Sequence, residues 1–275
     1  KTYVNTLFME VHMDLGLKDK VALITGGSEG IGLASAQCLA FEGVKVVICG
    51  RSDEKLQDAV KEIKLNTGTE VEGIVCDITD SNNIDQMFDR IKSIYGRLDI
   101  LVNNAGTSSA HVFEDATEEV WKYDIELKVF GAIRCSRLAI PMMKAQGAGR
   151  IVNVTALGGK TPGAGSVPTS VSRAAGIALT KAMSKDYAKH NILVNTVCIG
   201  LIKAGQHETR WKGTLKDNPG KSLEQWYVDM GANVPMGRVG EPEEAGNIIT
   251  FLVSEAASYI TGTSINIDGG TSSVL

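Results

Sequence analysis

The chain has 275 residues, of which 43% are hydrophobic and 22% charged, and its formal net charge is −4 at pH 7. These values allow a sizeable buried core and exclude the basic excess that is typical of nucleic-acid-binding proteins. No apolar run approaches the roughly twenty residues of a membrane-spanning helix, so we expect one soluble globular domain without membrane contacts.

The cysteines and the first residues bear on the compartment. The sequence contains five scattered cysteines without a CxxC pair, namely Cys38, Cys49, Cys76, Cys135 and Cys198. Several lie inside apolar strand or helix patterns, which is typical of reduced core residues in a cytosolic protein. The N-terminus lacks the basic and then apolar order of a secretion signal. We therefore expect a cytoplasmic protein in which residues 1–16 form a loose extension.

The first predicted strand leads into a glycine-rich loop. Residues 21–24 form a short apolar run bounded by glycines, which predicts a strand buried in a parallel sheet. From Ile31 to Phe41 the apolar spacing is helical, so backbone N–H groups and the helix dipole converge on an anion such as a dinucleotide pyrophosphate. A tight turn without a ligand is the alternative, since a glycine triplet alone is a weak signal. The predicted contacts here are Gly26, Ser28, Glu29, Gly30, Ile31 and Gly32.

Further strands alternate with helices along the chain. They are predicted near residues 44–49, 71–76, 98–102, 150–155, 192–198 and 263–267. Regular βαβ alternation indicates a parallel sheet with helices on both faces, and a ligand site at the carboxyl ends of the strands. Residues 203–233 are too many for an ordinary connection. They predict a mobile lid over the site or, equally, a surface excursion or subunit contact.

Four motifs in order carry a family resemblance. They are Thr25-Gly-Gly-Ser-Glu-Gly-Ile-Gly32, Asp77 after the third strand, Asn103-Asn-Ala-Gly106 after the fourth, and Ile267-Asp-Gly-Gly270 near the end. Over residues 17–270 the chain resembles the short-chain dehydrogenase/reductase superfamily. The resemblance implies a single three-layer α/β/α Rossmann domain with a seven-stranded parallel sheet, a nicotinamide dinucleotide and a small-molecule substrate. It also implies a homotetramer, formed through the long helices of residues 117–145 and 169–189.

The same motifs predict further cofactor contacts. The Asp77 carboxylate can accept from an adenine amino group while the next N–H meets the ring; a helix N-terminal acid is the alternative. In the Asn103 to Gly106 segment, small residues let the chain pass the ribose closely and the amides can tie neighbouring strands together. The predicted contacts are Asp77, Ile78, Asn104, Ala105, Gly106, Arg173 and Gly200.

The cofactor preference is predicted from the end of the second strand. An acidic residue there would hold a ribose 2′-hydroxyl, but this chain has Gly50 and then Arg51. A guanidinium suits a 2′-phosphate by charge and geometry, which favours NADP(H) over NAD(H). Glu29 argues the other way, because its carboxylate could repel that phosphate. Stacking of Arg51 on adenine would serve either cofactor.

The catalytic positions of the superfamily hold other residues in this chain. The resemblance implies an Asn, a Ser, a Tyr that supplies the proton, and a Lys four residues later that lowers the Tyr pKa. These positions are occupied here by Lys128, Ala156, Thr169 and Arg173. No tyrosine occurs between Tyr123 and Tyr187, so no one-residue shift restores the motif. The sequence therefore predicts an atypical active site.

Lys128 and Arg173 are the candidate catalytic residues. Two nearby cations depress the Lys128 pKa or attract an anion, which would make Lys128 a general acid or base, or make the pair a carboxylate or phosphate clamp. Alternatively, either is a solvated or salt-bridged structural cation. Thr155 should face away from the site, by the alternation of the strand.

The remaining site residues also depart from the superfamily. Where the resemblance implies Pro-Gly and then a Thr that touches the nicotinamide amide, this chain has Ile199, Gly200 and Ala204. Candidates for substrate contact are loop residues near the cleft, each of which is better explained as a surface or packing residue than as a catalyst: His111, Lys160, His207, Trp211, Trp226 and Tyr227.

These patterns predict an NAD(P)-binding oxidoreductase that acts on a carbonyl or alcohol with a substituted proton donor. A non-redox catalyst on the same fold, of the lyase, hydratase or isomerase type, is one alternative. The other is a catalytically silent nucleotide-binding subunit, either homo-oligomeric or paired with an active paralogue.

Overall fold

The structure, a computed structural model, describes residues 14–216 and 218–275. The predicted extension of residues 1–16 therefore lies almost wholly outside the described residues. The first half of the chain alternates strands and helices: β1 (Val21–Thr25), α1 (Gly30–Phe41), β2 (Lys45–Gly50), α2 (Asp53–Thr67), β3 (Val71–Val75), α3 (Ser81–Tyr95) and β4 (Ile100–Asn103).

The second half continues the alternation with longer helices. Its elements are β5 (Ala110–His111), α4 (Glu118–Ile125), a π-helical turn (Glu126–Phe130), α5 (Gly131–Ala145), β6 (Gly149–Ala156), β7 (Val167–Pro168), α6 (Thr169–Tyr187), β8 (Ile192–Ile199), α7 (Gly205–Thr214), α8 (Leu223–Gly231), α9 (Pro242–Val253) and β9 (Ser264–Ile267). The segment predicted as a lid, residues 203–233, contains α7 and α8.

Seven strands form one sheet in the order β3-β2-β1-β4-β6-β8-β9, and all neighbouring pairs are parallel. Each of the seven predicted strands is present, with ends within two residues of the prediction. The strand order reverses between β1 and β4, which is where ligands bind in open α/β sheets. A second, two-stranded sheet of β5 and β7 was not predicted, because strands of two residues carry no periodic signal.

Strand β1 supplies both layers of the core. Ala22 and Ile24 pack into the hydrophobic cluster on one face of the sheet, and Val21 and Leu23 into the cluster on the other face. This alternation with a period of two is the geometry of a strand covered on both sides. Because β1 is fully buried, the loop that follows it starts from a fixed position.

The predicted absence of membrane-spanning segments agrees with the structure. Within residues 14–216 and 218–275, none of the helices is both long and apolar enough to cross a bilayer. All five cysteines are free thiols, four of them buried, as the sequence predicts.

Candidate active site

The glycine loop after β1 is pressed against the segment that follows β4. Gly26 has φ +64°, and an added Cβ would stand 3.0 Å from the Cα of Ala105. An added Cβ on Gly32 would stand 2.1 Å from the Gly26 carbonyl oxygen. Both positions therefore require glycine. At Gly32 the close contact is between the first turn of α1 and the backbone of the loop.

Asn104 ties this loop to β4. Its Nδ2 donates to the carbonyl oxygens of Thr25 (3.0 Å) and Gly26 (2.9 Å). In return the Thr25 hydroxyl oxygen accepts from the backbone N–H groups of Asn104 and Ala105, each at 3.0 Å. The expectation that these amides join neighbouring strands is confirmed, and the loop is held in place by these four hydrogen bonds.

An elongated cavity of about 520 Å³ runs along the carboxyl ends of the strands from β3 to β8. Every residue predicted to contact a cofactor, except Gly32, lines it. Other residues that line the cavity were not predicted from the sequence, among them Ser52, Lys55, Cys76, Thr107 and Gln206. Its length and its glycine floor fit a dinucleotide.

One end of the cavity, between β1, β2 and α2, carries two cations. Arg51 Nη1 donates to the Tyr123 hydroxyl (3.1 Å), which orients the guanidinium. Lys55, in the first turn of α2, forms a 2.8 Å ion pair with Glu29. The Glu29 carboxylate thus faces a cation that the sequence analysis overlooked. A basic residue four positions after Arg51 was the available signal.

Asp77 lies at the same end, after β3. Its Oδ1 accepts from the backbone N–H (2.9 Å) and the hydroxyl (2.8 Å) of Thr79. The cap of α3 is Asp80, which accepts from the N–H groups of Asn82 and Asn83. The alternative of Asp77 as the helix-capping acid is therefore wrong. Its carboxylate lines the cavity instead.

Lys128 lies next to the other, deep end of the cavity, in the π-helical turn between α4 and α5, where it and Arg173 line a separate water-sized void of about 20 Å³. Its side chain is only 2% exposed and is paired with Asp124 one turn earlier. Burial and the nearby Arg173 guanidinium lower the pKa of Lys128 to about 8, against the opposing effect of Asp124. Of the two structural alternatives for Lys128, the solvated cation is wrong and the salt-bridged cation agrees with the structure. The side chain is a buried, ion-paired ammonium that can lose its proton near neutral pH.

The Thr169 hydroxyl joins this network at the start of α6. Its oxygen accepts from Lys128 Nζ (3.0 Å) and from the backbone N–H of Ser109 (2.8 Å), and it donates to the Ser109 carbonyl oxygen (3.1 Å). Ser172 Oγ donates to the second oxygen of Asp124 (2.6 Å). Both lone pairs of Thr169 Oγ1 are thus occupied. Its single hydrogen is donated to Ser109, so this hydroxyl can donate to a ligand only by turning away from that carbonyl oxygen.

Arg173, one turn further along α6, lies half-buried between the deep end of the cavity and the sheet. Its Nη1 donates to the Val154 carbonyl oxygen (2.6 Å), and its Nε is buried without a partner. An added Cβ on Gly106, which lines the cavity, would stand 3.0 Å from Nη2. Burial lowers the pKa of this guanidinium. Arg173 therefore brings charge and unused donors to the floor of the cavity.

Strand β6 offers no hydroxyl to the site. Ala156 lines the cavity at the position where the superfamily has a serine. The hydroxyl of Thr155 donates to the Val197 carbonyl oxygen (3.1 Å) on β8, so the prediction that it faces away is confirmed. The donors at the deep end of the cavity come from the helices instead.

The segment after β8 covers one side of the cavity. Ala204, Gly205 and Gln206 line it, and Gln206 Oε1 accepts from the backbone N–H of Ser108 (3.1 Å) on the opposite side. The other predicted contact after β8, Gly200, lies against β9, where an added Cβ would stand 2.8 Å from Asp268. A lid over the cavity stays a prediction, which the hydrogen bond between Gln206 and Ser108 favours.

The six predicted substrate contacts are mostly engaged elsewhere. Lys160 donates to the Ser264 carbonyl oxygen (2.8 Å) and to Asn266 Oδ1 (2.6 Å), which fixes it to β9. The other five lie in secondary-structure elements, contrary to the expectation of loops: His111 in β5, His207 and Trp211 in α7, and Trp226 and Tyr227 in α8. His207 is buried, and burial and Arg210 lower its pKa. None of the six lines the 520 Å³ cavity.

The residues fit a nicotinamide dinucleotide and give no metal site. The glycine loop leaves room that a Cβ would fill, and the unpartnered Nε of Arg173 is a buried donor without an acceptor. Across the part of the chain that the structure describes, no group of three His, Cys, Asp or Glu side chains is arranged to hold a metal ion.

Comparison with known proteins agrees with this architecture. The model of the enoyl-(acyl carrier protein) reductase family matches residues 26–272, which include the glycine loop, the strand ends and the whole deep end of the cavity. The chain belongs to the short-chain dehydrogenase/reductase superfamily. The superfamily fold confirms the predicted Rossmann architecture, while the activity of a member has to be argued from its site.

Relatives in the superfamily align over nearly the whole chain. The 3-oxoacyl-[acyl-carrier-protein] reductase of Aquifex aeolicus is 34% identical over 94% of this chain and 99% of its own. The L-sorbose reductase of Gluconobacter frateurii in complex with NADPH and L-sorbose is 34% identical, with TM-score 0.91, over 96% of this chain and 100% of that chain. An NADPH-bound short chain oxidoreductase of Pseudomonas aeruginosa PAO1, which contains an atypical catalytic center, is 32% identical, with TM-score 0.86, over 94% and 100%.

Proposed function

We propose that the chain is an NADP(H)-dependent oxidoreductase that interconverts a carbonyl compound and an alcohol, with Lys128 as the source of the proton and Thr169 as the group that delivers it. The observation that carries this proposal is the 3.0 Å hydrogen bond from Lys128 Nζ to Thr169 Oγ1. This bond joins an ionisable group to a hydroxyl whose hydrogen, in the proposed step, turns from the Ser109 carbonyl oxygen to the substrate. Thr169 stands at the position where the resemblance implies the tyrosine of the superfamily.

Each residue has a defined task in carbonyl reduction. Bound NADPH would supply the hydride for the carbonyl carbon. The Thr169 hydroxyl donates its hydrogen to the carbonyl oxygen, and Lys128 replaces that hydrogen from its ammonium group, so that one proton reaches the product alkoxide. A threonine hydroxyl alone is too weak an acid for this task, but transfer from a group with a pKa of about 8 matches the working pH.

Asp124 orients the proton source Lys128, and Arg173 adjusts its pKa. Asp124 accepts from Lys128 and Ser172, which holds the ammonium toward Thr169. Arg173 lowers the Lys128 pKa by charge repulsion. Its unpartnered Nε and its Nη2 are donors for cofactor ribose hydroxyls at the cavity floor. An arginine stays protonated, so Arg173 orients and polarises but does not transfer the proton.

The preference for NADP(H) over NAD(H) is supported by the cations at the other end of the cavity. Arg51 is oriented by Tyr123, and Lys55 lies in the first turn of α2 behind the N-cap Ser52. A guanidinium, an ammonium and the positive end of a helix dipole favour a 2′-phosphate. The Glu29 carboxylate opposes the phosphate less than the sequence implies, because Lys55 already pairs with it. The NADPH-bound relatives also favour this choice.

The expected assembly is a homotetramer that needs no paralogous subunit. The helices predicted to form its contacts expose large apolar side chains, Phe130 and Val171, each more than two-fifths exposed. Exposed apolar surface on adjacent helices is typical of subunit interfaces. Light scattering of the purified chain checks this expectation, and a monomer at micromolar concentration would overturn it.

The test of the proposed function is direct. Purified protein is titrated with NADPH and NADH, and then supplied with a panel of ketones, oxo esters and oxo acids while the nicotinamide absorbance is followed. The proposal predicts saturable NADPH binding and carbonyl-dependent NADPH oxidation. The proposal would be overturned if the protein bound NADPH tightly but reduced no carbonyl compound with NADPH and oxidised no alcohol with NADP. A non-redox or silent role would then be the better account.

A further inference from the structure

The deep end of the cavity holds an excess of buried positive charge. Lys128 and Asp124 are buried and form an ion pair, and the half-buried Arg173 is a second cation beside them. Counting these three groups gives a net charge of +1 below the pKa of Lys128. The carboxylates that line the cavity, Glu29 and Asp77, lie at its adenosine end, beside Lys55 and Thr79.

These charged groups also have fewer hydrogen-bond partners than they have donors. Asp124 accepts from Lys128 and from Ser172, and it forms no salt bridge with Arg173. Arg173 donates through Nη1 to a backbone carbonyl, and its Nε has no partner. Buried charge without hydrogen-bond partners costs free energy, and an anion nearby offsets that cost.

Space for such an anion exists on the cavity side. Ala156 brings only a methyl group to the wall of the cavity, and Arg173 lines the same cavity. A water-sized void of about 20 Å³ between Lys128 and Arg173 adjoins this region, and those two are the charged side chains among the described residues that line it. The side chains around this void therefore make the adjoining end of the cavity positive, which a neutral ketone does not require.

We propose that the natural substrate of this site is an oxo acid, a carbonyl compound with a carboxylate close to the reacting carbon, held by the net charge of Lys128, Arg173 and Asp124. The inference rests on the proposed function, because the carboxylate positions a carbonyl that Thr169 and Lys128 then protonate. In a partly buried site, one net unit charge at about 5 Å distinguishes an anion from its neutral analogue by about tenfold to a hundredfold.

Binding is tested first, without turnover. Wild-type protein saturated with NADPH is titrated with short alkyl carboxylates, from propanoate to hexanoate, and with the corresponding amides, and the thermal midpoint is followed. The carboxylates should bind about tenfold or more tightly than the amides. Equal binding of both series would overturn the inference.

A charge series separates net charge from local structure. Asp124→Asn raises the site to +2, Lys128→Met lowers it to 0, and the double variant returns it to +1. The carboxylate preference should rise in the first, disappear in the second and return in the third, although the double variant lacks the ion pair. A purely structural role for the pair predicts loss in all three, which would overturn the proposal. Lys122→Met, on the exposed face of α4, is the control and should leave the preference unchanged.

Kinetics then separate this inference from the proposed function. The wild-type kcat/KM is measured with NADPH for 2-oxo and 3-oxo acids and for their methyl esters. Acids should exceed esters by about tenfold or more, mainly through KM. Esters that react as well as acids would overturn the oxo-acid inference while supporting the reductase. Failure of acids and esters alike overturns the proposed function, and the carboxylate titration still decides the anion site.

Discussion

Lys128 Nζ lies 3.0 Å from Thr169 Oγ1, at the junction of a π-helical turn and the first turn of a helix that follows it by about forty residues. The two residues stand at the positions where the sequence resemblance implies an asparagine and a tyrosine. Taken separately, each substitution removes a catalytic group. Together they restore an ionisable proton source connected to a hydroxyl donor.

Replacement of Lys128 should abolish most of the carbonyl reduction. Lys128→Met removes the proton source and should lower kcat by about 10² to 10⁴, the usual contribution of a positioned general acid. NADPH affinity should stay within about threefold, because the dinucleotide is held mainly by the glycine loop and the adenosine end. Single-turnover kinetics and NADPH titration measure the two effects. The matched control Lys122→Met, at an exposed lysine of α4, should keep full activity; an active Lys128→Met enzyme would contradict the assignment.

The pH dependence follows from the Lys128 pKa of about 8. Reduction needs the ammonium form, so kcat for reduction should fall as pH rises through about 8, while kcat for alcohol oxidation should rise over the same range. The charged groups that face Lys128 are Asp124 on α4 and Arg173 on α6. Asp124→Asn removes the favourable partner and should move this transition to lower pH. Rate profiles in both directions check the prediction, and a profile that is flat from pH 6 to 10 would contradict it.

Thr169 should tolerate serine but not valine. Thr169→Ser keeps the hydroxyl and should retain activity within about tenfold, whereas Thr169→Val removes the donor and leaves the Ser109 N–H unpaired. Loss of that buried bond should also cost about 1 to 3 kcal/mol in the free energy of unfolding. Measurement of kcat beside urea denaturation separates the two effects. Similar activity in the valine variant would show that Lys128 protonates the substrate directly.

The cofactor preference should depend on Arg51 and Lys55. Arg51→Ala and Lys55→Ala should each weaken NADPH binding by about tenfold or more, as charge-assisted contacts to phosphate do, and should leave NADH binding unchanged. Glu29→Gln should strengthen NADPH binding, because it frees Lys55 from its ion pair. Lys61→Ala, an exposed lysine of α2 paired with Asp58, is the control. An equal loss of NADPH and NADH affinity would favour stacking on adenine instead.

Two glycines provide a matched test of the loop. Gly32→Ala places a Cβ 2.1 Å from the Gly26 carbonyl oxygen, so it should destabilise the protein by about 1 to 3 kcal/mol or more and displace the cofactor loop. Gly213→Ala, in α7, meets no atom within 4 Å and should be neutral or stabilise by up to about 1 kcal/mol. Denaturation with urea measures both. Equal stabilities would contradict the close packing at Gly32.

Much of the fold and of the cofactor cavity could be predicted because local patterns encode them. The apolar runs of the seven strands, the glycine spacing after β1 and the Asn103 to Gly106 segment each act within a few residues of chain. Their positions at the strand ends follow from parallel topology alone. The same reasoning predicted that Thr155 faces away, because alternation along a strand is a local rule.

The sequence by itself determined the sheet, the loop and which four residues occupy the catalytic positions. Only the tertiary structure decided their chemistry, because pKa and hydrogen bonding depend on groups brought together from distant parts of the chain. Lys128 alone is compatible with a solvated surface lysine; burial and Arg173 lower its pKa to about 8, against the opposing effect of Asp124. Lys55 was missed for the same reason, since its pairing with Glu29 spans 26 residues and no local pattern records such a contact.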